Sequence, residues 1–221
     1  RLVSIDIASS LSAVIELPNL DKINLTIRRN DDEVKYPGEI FIFAENRMSP
    51  VMVLPLIEED AINIPVKYDG ELFLNFQSRP HGTKVEYVER SRYIANAKIH
   101  PKTDKEVTLE VNPAIEVPVD IEGGFLQSCK ILVFEEWHGR LVPVGLGYWS
   151  SENEENRYIR VSDYGKYSFL LIYNSDDNDK NGMLAMWSDG VLLEKANELF
   201  TIRAVKSSMH KFKGPFLYRK K

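Results

Sequence analysis

The chain has 221 residues, enough for one large domain or two of about 100 each. Hydrophobic residues make up 43% and charged residues 28%, a composition that fits a folded globular protein and excludes a disordered one. The net charge of −5 argues against a nucleic-acid partner.

The chain begins at Arg1, as expected of a processed or trimmed protein, and a removed signal peptide or an upstream lipid anchor is one expectation. Ile5 to Glu16 is ambiguous between a short helix and a strand. Beyond it the dominant period is two. Ile23-Asn24-Leu25-Thr26-Ile27 alternates strictly, which puts Ile23, Leu25 and Ile27 on one face of a strand. Glu39 to Phe43 is a nearly continuous apolar run and reads as a central strand. Val51 to Ile57, Ile62 to Val66 and Glu71 to Phe76 follow as strands, with Asp69-Gly70 as a turn. His100 to Lys105 is polar and contains Pro, as a linker would.

In the second half, Ile115 to Ile121, Lys130 to Glu135, Leu141 to Trp149 and Lys166 to Tyr173 read as strands, with His138-Gly139 and Asp189-Gly190 as turns. Cys129 opens one of these runs; a lone cysteine makes no internal disulfide and no four-Cys zinc site, and fits a small strand residue. Val191 to Phe200 could form two or three helical turns capped by Asp189, while Leu199 to Val205 fits a strand equally well. The only concentrated basic stretch, Lys206 to Lys221 with six Lys/Arg in 16 residues, reads as a solvated tail. No run of 18 apolar residues occurs, so no transmembrane segment is expected.

The two halves resemble one another. Ile23 and Ile115, Glu39 and Lys130, Val51 and Leu141, Val66 and Val161 are separated by 92, 91, 90 and 95 residues. The expected fold is therefore all-β: two tandem antiparallel β-sandwich domains, residues 1–102 and 103–221, with at most a short helix. A single large sandwich or jelly roll is the alternative.

No linear catalytic or nucleotide-binding motif occurs. The four histidines, His81, His100, His138 and His210, stand apart in turn-like or terminal contexts, so no zinc site and no catalytic residue is assigned. Asp177-Asn178-Asp179-Lys180-Asn181-Gly182 matches the first half of a calcium loop, with Asp177, Asp179 and Asn181 as candidate metal ligands. The twelfth position is Ser188 instead of Glu and the flanks look like strands, so a plain acidic hairpin and weak calcium binding stand as the two readings; no other cofactor is expected. Trp137, Tyr148, Trp149, Tyr158, Tyr164 and Trp187 cluster in the second half, and a protein or glycan ligand is expected there. Trp137 and His138, at a hairpin tip, with Tyr148 and Trp149 nearby, are the candidate ligand-binding residues.

Val66 to Phe76 and Val161 to Tyr173 share a layout in which Asp-Gly or Tyr-Gly precedes a long aromatic strand. This layout resembles the transthyretin-like and immunoglobulin-like modules of bacterial surface proteins, especially secreted β-sandwich proteins of gut Bacteroidetes. That resemblance implies a non-enzymatic binding or adhesion protein, secreted or associated with the cell surface at the outer membrane. A carbohydrate-binding module, a structural component of a virion or tail, and a hydrolase assembled from dispersed Asp, Glu and His are the alternatives.

Overall fold

The computed structural model describes residues 21–29, 38–45, 49–56, 61–66, 68–78, 92–122, 128–174, 182–188, 190–194, 198–203 and 210–213. These residues form two curled sheets, each closed over its own apolar face, and the fold is two all-β sandwiches. The first holds β1 (Asp21–Arg29), β2 (Gly38–Ala44), β3 (Met52–Leu56), β4 (Ala61–Val66), β5 (Leu72–Ser78), β6 (Tyr93–Ile99) and β7 (Glu106–Pro113) in the order β3-β2-β5-β6-β7-β1-β4. The second holds β8 (Ile115–Glu122), β9 (Cys129–Trp137), β10 (Arg140–Trp149), β11 (Tyr158–Val161), β12 (Gly165–Asn174), β13 (Gly182–Trp187), β15 (Phe200–Arg203) and β16 (His210–Lys213). Their order is β15-β8-β11-β10-β9-β12-β13-β16, and β14 (Val191–Leu193) pairs with β12.

Five strand pairings of the first sheet recur in the second. β1 runs antiparallel to β4 and parallel to β7; β8 runs antiparallel to β11 and parallel to β15. β2 lies between β3 and β5 as β9 lies between β10 and β12, and β5 pairs with β6 as β12 pairs with β13. The sheets differ in how they bend around: the first continues through β6–β7, the second through β10–β11. β7 starts beyond residue 103, the expected beginning of the second unit, yet pairs with β1 and β6; strand pairing thus assigns 106–113 to the first sheet.

Alternation builds both cores. Ile23, Leu25 and Ile27 are buried together with Ile40, Ile42, Leu72, Leu74 and Phe76 inside the first sandwich. Ile131, Val133, Ile159, Val161, Phe169 and Leu171 fill the second. Among the described residues of the helix considered at Val191 to Phe200 none is helical: Val191–Leu193 is a strand bonded to β12 and Phe200–Arg203 a strand beside β8. The cause is tertiary: Leu193 and Ile202 are buried in the second core, one on each of these short strands. Ile5 to Glu16 lies outside the described residues. Among those described, no helix is long and apolar enough to cross a membrane.

Cys129 is buried in the second core, opposite Tyr173 on the neighbouring strand. Burial pushes its thiol up to about 12, so it remains protonated and serves as a small apolar side chain. β10 carries a bulge between Pro143 and Gly145. A Cβ at Gly145 would collide with the Arg160 carbonyl oxygen on β11, so the two strands approach as they do because position 145 has no side chain. Gly145→Ala is expected to lower stability by about 1–3 kcal/mol, read as a drop in the urea midpoint at unchanged m-value.

Candidate functional site

β5 is buried on both faces. Leu72, Leu74 and Phe76 point into the first core. The opposite face, carrying Phe73, Asn75 and Gln77, meets one end of the second sandwich. Three groups of contacts join them.

The first is aromatic and acidic. The β9–β10 turn has two residues, His138 and Gly139, both with positive φ (50° and 69°), the conformation that suits a tight hairpin. Adjacent residues of a straight strand point to opposite faces, but here the turn brings neighbours onto one acceptor. Trp137 Nε1 donates to Glu71 Oε2 at 2.8 Å, and His138 Nε2 lies 2.8 Å from the same oxygen. An ionised carboxylate only accepts, so Nε2 carries the proton of that bond. Nδ1 of His138 is 3.9 Å from Glu45 Oε1. The Trp137 ring lies against Phe73, with ring centroids 5.7 Å apart.

The second is an amide relay. Gln77 Nε2 donates to Asn75 Oδ1 at 2.6 Å, Asn75 Nδ2 to Asn96 Oδ1 at 2.7 Å, and Asn96 Nδ2 to Ser162 Oγ at 2.7 Å. Asn75 Nδ2 also reaches the Val144 carbonyl oxygen at 3.3 Å. Val144 is the bulge residue, and the bulge takes it out of register with β9. Asn75 is 0% exposed, so its amide depends wholly on these partners. The third contact is an ion pair between Lys98 Nζ and Glu135 Oε1 at 3.0 Å, with the ammonium 5.8 Å from the centre of the Phe73 ring.

Beside these contacts opens a cleft of about 750 Å³. The first sandwich lines it with Phe73, Asn96, Lys98, Glu110 and Asn112; the second with Glu135, Glu136 and His138, and with residues 162–168. Tyr164 stands in the β11–β12 loop and is 41% exposed, one of the few large hydrophobic side chains left in solvent among the described residues. Asp163 shapes that loop: its Oδ1 accepts from the Tyr164 N–H at 2.7 Å, and its carbonyl oxygen accepts from the Tyr167 hydroxyl at 2.8 Å.

The structure separates the residues picked from the sequence. Trp137 is only 4% exposed and lies between Phe73 and His138, so it has no open face on which a ligand ring could stack. It anchors the junction. Trp149 is 7% exposed, donates from Nε1 to Asp120 Oδ1 at 3.1 Å and lies under the Arg157 guanidinium. Tyr148 is half-buried within β10, across from Lys130 and Tyr158. His138 alone of the four lines the cleft. Asp177, Asp179 and Asn181 lie outside the described residues. Among the described residues no group of three His, Cys, Asp or Glu is placed to hold a metal ion. The sequence did carry a trace of the junction: Phe73 and Asn75 occupy positions that a one-sided strand would give to solvent, and an aromatic there signals a second buried face.

No family model and no curated protein matches the chain. Solved structures similar to it include a protein provisionally described as a cell adhesion protein, from Bacteroides ovatus. That likeness has 12% identity over 89% of this chain and 96% of that one, with a TM-score of 0.27. A streptococcal ancillary pilin is similar at 10% identity over 85% of this chain and 64% of the pilin, with a TM-score of 0.24.

Two predictions follow from the junction. Asn75→Ala removes the amide to which Asn96, Gln77 and the Val144 carbonyl oxygen are bonded, at a cost of about 1–3 kcal/mol, and calorimetry should then resolve the melting of the two sandwiches into separate transitions. The Glu71 carboxyl is held below its ordinary value, first by the hydrogen bond to His138 and then by that from Trp137. A lowered carboxyl stabilises the fold above the unfolded-state value, 4.5, and that contribution is lost as the pH falls through the folded-state value. The wild type should therefore melt above Glu71→Gln at neutral pH, and the gap should close progressively below 4.5.

Proposed function

We propose that this chain is a secreted or cell-surface binding protein of the adhesion type, and that its ligand enters the cleft between the two sandwiches. The observation that supports this reading is that the cleft has one wall from each sheet, and that the Glu71, Asn75 and Lys98 contacts hold those walls together. Its polar groups lie on strands and on short loops tied to strands, so they are placed before a ligand arrives and little ordering accompanies binding. A volume of about 750 Å³ falls within the range of small-molecule and side-chain sites. Adhesion places such a site under load, and a junction of hydrogen bonds, an ion pair and a packed tryptophan resists the separation of its walls.

The test is adhesion itself. Beads coated with the protein are washed over arrays of matrix proteins and glycans. Retention is expected, and Lys166→Trp, which fills the cleft from an exposed position, should weaken it about tenfold. Val53→Thr, on the exposed edge strand β3, should leave it unchanged. No retention, or retention indifferent to Lys166→Trp, overturns the proposal.

A further inference from the structure

The walls of the cleft also constrain the chemistry of what it takes, a step that rests on the cleft being the binding site. We infer that it is a site for an uncharged oligosaccharide, with Tyr164 as the ring on which a sugar stacks.

The charge balance comes first. The lining carries Glu110, Glu135, Glu136 and Asp163 against Lys98 and Lys166. Glu135 is already paired with Lys98, and Glu110 with Arg28 at 2.9 Å. Among the described residues this leaves Glu136 and Asp163 facing a single cation, Lys166. A polyanion such as a sulfated glycan meets net repulsion here. A neutral ligand meets no such repulsion, and the choice between it and a cationic peptide falls to the hydrogen-bonding groups and the exposed ring.

The hydrogen-bonding capacity comes second. Carboxylates and an ammonium group on both walls, with the Ser168 hydroxyl on the second, place donors and acceptors side by side. A sugar hydroxyl donates and accepts at once, and adjacent hydroxyls match neighbouring groups of this kind. A lipid or an apolar peptide would cover Glu136, Lys166 and Ser168 without offering them hydrogen bonds, at a cost of about 1–3 kcal/mol each.

The aromatic comes third. A pyranose has one face of C–H groups, and stacking it needs an exposed ring fixed in orientation. Tyr164 has the exposure. The Asp163 carboxylate fixes its backbone, and the Tyr167 hydroxyl ties the same loop to β12. The buried Trp137 has none of that exposure, which moves the sugar site away from the hairpin tip and onto the neighbouring loop.

The experiment titrates the full chain with panels of neutral, sialylated and sulfated oligosaccharides by calorimetry. Neutral members should bind. Tyr164→Ala should weaken them about tenfold, and Tyr164→Phe, which keeps the ring, should restore most of the affinity. Asp163→Asn should weaken binding with the melting temperature held. Preference for sialylated or sulfated members overturns the inference. So does saccharide binding indifferent to Tyr164→Ala, which would place the sugar elsewhere on the molecule. A protein ligand that is lost on Lys166→Trp, with no saccharide bound, overturns the sugar and leaves the cleft as the site.

Discussion

A primary amide that is wholly removed from water must find every partner within the protein. Asn75 is in that position, and it sits on a strand whose other face belongs to an apolar core. Its partners come from three directions: Gln77 on its own strand, Asn96 on the next, and the bulged Val144 on the other sandwich. The geometry of the junction depends on this set. Shifting the second sandwich along β5 would break the Val144 bond and expose Phe73, so one relative placement satisfies both polar and apolar demands.

The other contacts add to this constraint. Glu71, the residue before β5, gathers two consecutive residues of the opposite hairpin because the positive φ of His138 turns the chain there. Lys98 reaches Glu135 across the Phe73 ring. Apolar packing of Phe43, Phe73 and Trp137 supplies area, and the polar groups decide registration. The cleft follows from the same docking. One end of a sandwich set against the side of another leaves a polar recess where the two surfaces diverge, with Tyr164 standing beside it.

The shared pairing plan gives this arrangement a further meaning. In the second sheet β12 corresponds to β5 by position and pairing. Tyr167, Phe169, Leu171 and Tyr173 face the second core, and the residues between them are half-buried or exposed. In β5 both faces are buried. The same strand in two similar sandwiches is thus one-sided in one and two-sided in the other, and the difference is the junction.

The all-β class, most strand positions and the internal correspondence were legible in the sequence, because alternation with period two is a local consequence of burying one strand face. The turn at His138-Gly139 was legible for the same local reason. The strands at Val191–Leu193 and Phe200–Arg203 were not separable from a helix, since short apolar runs fit either period and only the pairing with β12 and β8 selects one. The fate of the aromatics was also out of reach. Whether a tryptophan at a hairpin tip meets solvent or a second domain depends on a surface some 65 residues earlier in the chain, and Glu71 and Phe73 bury Trp137 where local sequence would expose it. Local periodicity determined what each strand hides from water. Which outer faces hide from one another, and hence where a ligand can enter, was decided by long-range contacts that no local pattern encodes.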